Sequence, residues 1–227
     1  MQKVAFFDID GTIFRSSLLI EVVEACITEG IFPKEAHTGY EEELTQWRNR
    51  DGTYEVYIGA VVKVFVKYLQ GVHYGDFADV GRMVVARQGR YTYRYTRDLI
   101  QDLRGKGYYL VAISQSPKTI LDAFCSAYGF HKVYGRVYEI GPQDRFTGVV
   151  IDADFISDKS KIVARVFEKE NLTHEDSIGV GDTEGDISLL ESVEMPICFN
   201  PNMSLYKYAQ EKKWPVVVER KDVVYTI

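Results

Sequence analysis

The sequence predicts a doubly wound α/β fold, a mainly parallel sheet with an inserted helical cap, on three observations. From about residue 95 onward, short apolar runs alternate with segments of helical period, a rhythm that builds a parallel sheet covered by helices on both faces. Acids stand directly after two of the apolar runs, as expected of buried strands that end at a site. About 80 residues of helical period separate the first strand from the second, far more than one crossover helix needs.

Val4–Phe7 is a run of apolar residues that reads as the first strand. From Ser17, the residues Leu18, Leu19, Val22, Val23, Cys26 and Ile27 repeat at helical spacing until Gly30, a common helix stop. The same period runs over 53–70, through Tyr57, Val61 and Phe65, and over 76–87, through Phe77, Val80 and Val84. Thereafter the order predicted is helix 95–104, strand 108–113, helix 117–128, helix 159–170, strand 177–181, helix 184–192 and strand 196–199. Residues 132–151 hold two runs about Gly141-Pro142-Gln143-Asp144 and predict a β-hairpin projecting from the core. The domain division expected is a core of residues 1–14 and 93–227 with a cap at 15–92.

The net charge of −6 repels a phosphate backbone or an anionic lipid, so neither nucleic acid nor membrane is expected as a partner. Cys26, Cys125 and Cys198 lie far apart without a C-x-x-C pair, which fits a reduced compartment. The four apolar residues before Asp8 are too few for a signal peptide, and no run reaches the roughly 18 residues of a membrane span. A soluble cytoplasmic protein is expected. The four histidines have no zinc-site spacing, and Gly105-Lys106-Gly107 lacks the rest of a P-loop.

Four positions carry candidate chemistry. Asp8-Ile9-Asp10-Gly11-Thr12 follows the first strand, at the end where open α/β sheets place ligands. One carboxylate there can attack phosphorus, and a second two residues on can protonate the leaving oxygen; a plain Asp-Gly turn is the competing reading. Ser114 ends an apolar strand before a helix, suited to phosphate oxygens or to a simple cap. Lys159 and Lys161 stand in a first helical turn, where a cation opposes the helix dipole and invites an anion. Asp182 and Asp186, after another buried strand, either cap a helix or meet a hard cation.

Four carboxylates about 4 Å apart would repel by about 4 kcal/mol per pair at an effective dielectric near 20. Mg2+ and a lysine would relieve that repulsion, and the metal would also neutralise charge on a transferring phosphoryl group. Arg15 stands just after the first motif, where a cap hinge would bring it to substrate; a solvated arginine is the alternative. Tyr91, Tyr93 and Tyr95 are expected to pack cap on core rather than to stack a nucleotide.

The ordered set Asp8-x-Asp10-Gly11-Thr12, Ser114, Lys159 and Gly181-Asp182-x-x-x-Asp186 resembles the four motifs of the haloacid dehalogenase superfamily, over the whole core. The insertion after the first motif resembles that superfamily's first type of helical cap, in the phosphoserine-phosphatase-like branch. The resemblance implies Asp8 as nucleophile and metal ligand, and Asp10 as acid then base, with its carbonyl on the metal. It implies Ser114 and Lys159 on the phosphoryl oxygens, with Gln115 and Arg15 as further substrate-binding candidates. Asp182 would be the third metal ligand, with Asp186 behind it orienting the lysine or a water. The interval from Lys159 to Asp182 matches the branch better than that from Lys161, and an acid at position 10 argues against a dehalogenase.

The function implied is Mg2+-dependent hydrolysis of a small phosphorylated metabolite, a monoester, through a phospho-aspartyl intermediate on Asp8. Phosphotransfer to another acceptor and non-catalytic phosphate or metal sensing are the alternatives, and oligomeric state stays open. Phosphoserine-specific enzymes carry a glutamate nine residues after the nucleophile and two glycines after the second-motif serine. Here those positions hold Ser17, and Gln115 with Ser116, so phosphoserine is expected to be a poor substrate unless Glu21 or Glu24 meets its ammonium group.

Overall fold

The computed structural model describes all 227 residues. Eight strands form one sheet: β1 (Val4–Phe7), β2 (Tyr109–Pro117), β3 (Lys132–Ile140), β4 (Phe146–Ile151), β5 (Ile178–Gly181), β6 (Met195–Phe199), β7 (Val216–Arg220) and β8 (Val223–Thr226). Their spatial order is β4-β3-β2-β1-β5-β6-β7-β8, with the six inner strands parallel and the two edges antiparallel. From β1 the chain winds outward to β2 and β3, then returns to β5 and winds the other way. The switch point therefore lies between β1 and β5, where such sheets open a crevice at their carboxyl ends.

Period two within β1 sets the layers, since successive side chains leave on opposite faces. Ala5 and Phe7 join a cluster of 38 buried residues, while Val4 and Phe6 join one of 15 on the other face. The larger cluster is continuous from the sheet (Leu110, Ala112) into the helices that follow β1. Those helices are α1 (Leu18–Thr28), α2 (Glu41–Asn49), α3 (Tyr54–Leu69) and α4 (Tyr74–Gln88). The predicted helical insertion is thus present, and its apolar stripe packs through Val22, Val61, Phe65 and Val84 into the same core. The α2 helix escaped prediction because Glu41-Glu42-Glu43 fill its first turn and only Leu44 is buried.

The remaining helices are α5 (Arg94–Gly105), α6 (Lys118–Ser126), α7 (Ala153–Ser157), α8 (Lys159–Lys169), α9 (Ile187–Leu190) and α10 (Met203–Lys212). The helix predicted at 184–192 is shorter than expected: its first turn is a 3-10 turn at Glu184–Asp186, closed by a capping box between Thr183 and Asp186. After β6, the elements α10, β7 and β8 add two strands beyond the predicted pattern.

The predicted hairpin forms as β3 and β4, but β3 is also a sheet strand, parallel to β2. Its far end is pinned to the turn between α3 and α4. Phe146 N donates to Val72 O at 3.0 Å, Gly71 N donates to Phe146 O at 2.8 Å, and the Phe77 and Phe146 rings meet edge-on at 5.5 Å. Tyr93 and Tyr95 pack on Phe199 of β6, a contact within the expected core rather than between cap and core, while Tyr91 stays exposed. No helix is long and apolar enough to cross a membrane.

Candidate active site

Register brings the first and fourth motifs together. Phe7 pairs with Ala112 on one side and Val180 on the other, so Asp8 emerges level with Ile113 and Gly181, beside Asp182. Asp8 N donates to Val180 O at 2.9 Å, which ties the motif to β5. The chain then turns at Gly11, where φ is +84° and an added Cβ would lie 2.2 Å from Asp182 Oδ2. Only glycine fits both the conformation and the space. Thr12 Oγ1 donates to Asp182 Oδ1 at 3.0 Å.

Lys159 opens α8 behind Asp158, whose carboxylate accepts from Ser160 N at 3.0 Å. Its buried ammonium donates to Asp8 Oδ1 at 2.6 Å and Asp186 Oδ1 at 2.5 Å. Burial opposes that charge, but the carboxylates of Asp186 and Asp8 outweigh it and hold the lysine pKa above its usual value. Lys161 is exposed and makes no ion pair. Asp186 is saturated, since its Oδ2 also accepts the backbone N–H groups of Asp182 and Thr183 at 3.0 Å each.

Asp8, Asp182 and Asp186 each offer an oxygen within 4.8 Å of the others. Burial raises the Asp8 pKa to about 7 against the pull of Lys159, with the Asp186 and Asp10 charges adding to the rise. Asp182 lies well above the usual carboxylate range, for burial first and then the charges of Asp8 and Asp186. Asp8 Oδ2 is buried and has no hydrogen-bond partner. An orphaned carboxylate oxygen among crowded carboxylates is what a hard divalent cation would satisfy, so these residues fit such an ion.

Asp10 is not in that trio, where four clustered carboxylates had been expected. Its Oδ1 accepts Leu18 N at 2.6 Å, while its Oδ2 accepts Ser114 Oγ at 2.5 Å and Ser116 Oγ at 2.8 Å. Burial raises its pKa, and these three bonds oppose the rise. The carboxyl group is thereby bound by its own set of donors, apart from the other three.

These groups floor a cleft of about 420 Å³ roofed by α3 and β3. Asp8, Asp10, Lys159 and Asp182 line it, as do Gln115 and Ser116. Ser114 is fully buried beneath it, its hydroxyl turned to Asp10, and Arg15 lies in a neighbouring depression with its guanidinium over the Tyr91 and Tyr93 rings. Glu21 and Glu24 do not reach the cleft; they accept from Ser16 and Tyr40. The acids that do line it beyond the motifs are Glu55 on α3 and Glu184, joined through the Asn202 amide. Tyr54, Glu55, Ile58, Arg136 and Tyr138 were not foreseen, because no local pattern marks a residue that reaches the site only through tertiary packing. Ser116 had a signal: in an extended strand it shares a face with Ser114.

Residues 5–191 match the profile of the haloacid dehalogenase-like hydrolases. A histidinol-phosphatase of Neisseria meningitidis serogroup C is 24% identical over 222 residues, 96% of this chain and 99% of the relative. Among solved structures, a protein of unknown function from Bordetella pertussis Tohama I superposes with a TM-score of 0.74 at 20% identity, covering 95% of this chain and 98% of the other. A phospho-aspartyl intermediate analogue of phosphoserine phosphatase superposes at 0.62, with 19% identity and coverage of 97% and 95%.

Proposed function

The chain belongs to the haloacid dehalogenase-like hydrolases, and from that membership we propose that it is a phosphatase that hydrolyses a small phosphate monoester through a phosphoryl group carried on Asp8. One observation supports this above the others. Asp8 sits in the cleft with one carboxylate oxygen held by Lys159 and the other buried without a partner, as a nucleophile poised beside an ion site requires.

In this reading Asp8 attacks phosphorus, forming the Asp8 O–P bond as the P–O bond to the leaving group breaks. Asp10, held by Ser114, Ser116 and the Leu18 N–H, donates its proton to the departing oxygen. Asp10 then takes a proton from the water that attacks phosphorus and frees Asp8. Lys159 would hold the phosphoryl oxygens, with Ser114 acting beneath the cleft through Asp10, and Asp186 holds the Lys159 ammonium in place. A divalent ion, proposed as Mg2+, would be held by Asp8, the Asp10 carbonyl and Asp182, and would neutralise charge on the phosphoryl group. The Gln115 amide is engaged elsewhere, and Arg15 borders the cleft rather than lining it.

We further propose the division into a core of 1–14 and 93–227 and a cap of 15–92, and a cytoplasmic location in keeping with three unpaired buried cysteines. The test is turnover of p-nitrophenyl phosphate with Mg2+ against EDTA, followed by a panel of phosphorylated amino acids, sugars, nucleotides and L-histidinol phosphate. Metal-dependent release of phosphate is expected. No turnover of any monoester by the Mg2+-loaded protein would sink the reading.

A further inference from the structure

We propose that Arg136, held in place by Gln115, forms a second anion subsite in the cleft, so that the preferred monoester carries another anionic group, a carboxylate or a second phosphate. The proposal rests on the phosphatase reading and narrows its substrate class.

Arg136 and Lys159 are the two cations that line the cleft. Lys159 is engaged by Asp8 and Asp186. Arg136 is half-buried, and no carboxylate lies within ion-pair distance of it, in a chain with 33 acidic and 27 basic residues. A half-buried guanidinium without a carboxylate loses hydration that no countercharge in the protein offsets, and a ligand anion would restore the balance.

The side chain is nevertheless held. Its Nε donates to Gln115 Oε1 at 2.9 Å, and Gln115 Nε2 donates to Ile156 O at 2.5 Å. A carbonyl can only accept, so Ile156 fixes which end of the amide faces Arg136. Of the five guanidinium N–H donors one is given to Gln115, which leaves a fork suited to a carboxylate or phosphate.

Its position sets it apart from the phosphoryl site. Asp8 is level with Ile113, and Ile113 pairs with Tyr134, two residues before Arg136. Two strand spacings and two residues along the strand separate the Cα atoms of Asp8 and Arg136 by roughly 12 Å. The cleft is also polarised across the sheet, with Arg136 on the β3 side and Glu184 after β5. An anion at the far end of a small substrate would thus be drawn to the β3 side.

The experiment compares 3-phosphoglycerate with glycerol 3-phosphate, which differ by a carboxylate against a hydroxymethyl group, and uses propane-1,3-diol bisphosphate for the second-phosphate arm. The Mg2+-loaded protein should favour one of the two substrates that carry a second anionic group over glycerol 3-phosphate at least tenfold in kcat/KM. Whichever arm wins identifies the second group. Arg136→Gln should lower that preference at least tenfold, Arg136→Lys should lower it less, and Gln115→Ala should raise KM for the favoured substrate more than it changes kcat. Equal losses on all three substrates would mean that Arg136 grips the phosphoryl group itself, and an unchanged preference would mean that it binds nothing; either overturns the proposal. Titration of the same compounds into Asp8→Asn and Asp8→Asn/Arg136→Gln reads the subsite without turnover. A protein inactive on every monoester would therefore remove the phosphatase reading while the titration still decides on Arg136: loss of the tighter binding upholds it, equal binding refutes it.

Discussion

The floor and the roof of the cleft are built by different rules. On the floor, Asp8, Lys159, Asp182 and Asp186 come from strand ends and a helix start: Lys159 bridges Asp8 and Asp186, backbone N–H groups hold the other Asp186 oxygen, Thr12 holds Asp182, and Asp8 Oδ2 is left buried without a partner. The roof is assembled from α3 and β3, whose contributions are single residues: an exposed acid at Glu55, an unpaired cation at Arg136, apolar cover at Ile58. The floor is pre-organised for one chemistry, because crowding and burial allow few alternatives. The roof can change residue by residue without unfolding the protein, so selectivity is expected to reside there. Floor substitutions should therefore act on rate for every substrate, and roof substitutions on choice among substrates.

Asp8→Asn is the severest test of the floor. It should abolish turnover and phosphoenzyme formation while leaving the fold intact, as single-turnover labelling and circular dichroism would report; substantial multiple turnover would refute the covalent role. A stability change should accompany it in EDTA. The Asp8 pKa in the folded protein is raised to about 7, above the value of about 4 in an unfolded chain, so the metal-free folded state keeps a proton that the unfolded state has shed. That contribution is full below pH 4 and lost as pH rises through 7. The variant does not suffer this loss, so its Tm advantage over wild type should be larger at pH 8 than at pH 5.

Lys159→Ala should lower kcat/KM by about 10²- to 10³-fold on all substrates, the effect of removing one preorganised charge from a transferring group. Lys161→Ala should stay within about twofold, because an exposed, unpaired lysine contributes little. The reverse ranking would show that the wrong lysine has been assigned.

Why the floor was legible in the sequence and the roof was not follows from chain distance. Asp8 and Asp10, or Asp182 and Asp186, are fixed relative to each other by a few residues of local geometry, and each pair directly follows a four-residue buried strand. The alternation of helices and strands then sets their order in the sheet. Arg136 reaches the cleft through the pairing of β3 with β2, and Glu55 through the packing of α3 and the Asn202 amide, contacts between distant parts of the chain without local signature. The same holds for Asp10, whose separation from the other carboxylates depends on Ser116 and on the Leu18 N–H. Polar α2 lay hidden for a different reason: it buries one side chain, so no apolar period marks it.

Gly11→Ala probes how tightly the floor is set. A methyl group 2.2 Å from Asp182 Oδ2, at positive φ, must displace that carboxylate or the turn, so a loss of about 1–3 kcal/mol in stability is expected. Displacement of Asp182 should also weaken Mg2+ activation, seen as a higher metal concentration for half-maximal rate. Wild-type stability with normal metal dependence would show the turn to be more pliant than its geometry implies.

The smallest effect expected of a cleft residue belongs to the roof acid Glu55, and it bears on whether phosphoserine is a substrate. The position that carries the ammonium-binding glutamate in phosphoserine-specific enzymes is the buried Ser17, and neither Glu21 nor Glu24 enters the cleft. Apart from the floor carboxylates, an ammonium group there meets only Glu55 and Glu184, both exposed and already sharing the Asn202 amide. Exposed ion pairs contribute about 0.2–1 kcal/mol, so Glu55→Gln should lower kcat/KM for L-phosphoserine and O-phosphoethanolamine by no more than about fivefold. Wild-type protein should likewise turn over phosphoserine about a hundredfold less well than its best monoester, since no buried carboxylate rewards the ammonium group. A hundredfold loss in Glu55→Gln, confined to the amine-bearing substrates, would show that the roof closes on Glu55 and buries the pair, making α3 rather than the first-motif loop the reader of the substrate's amine.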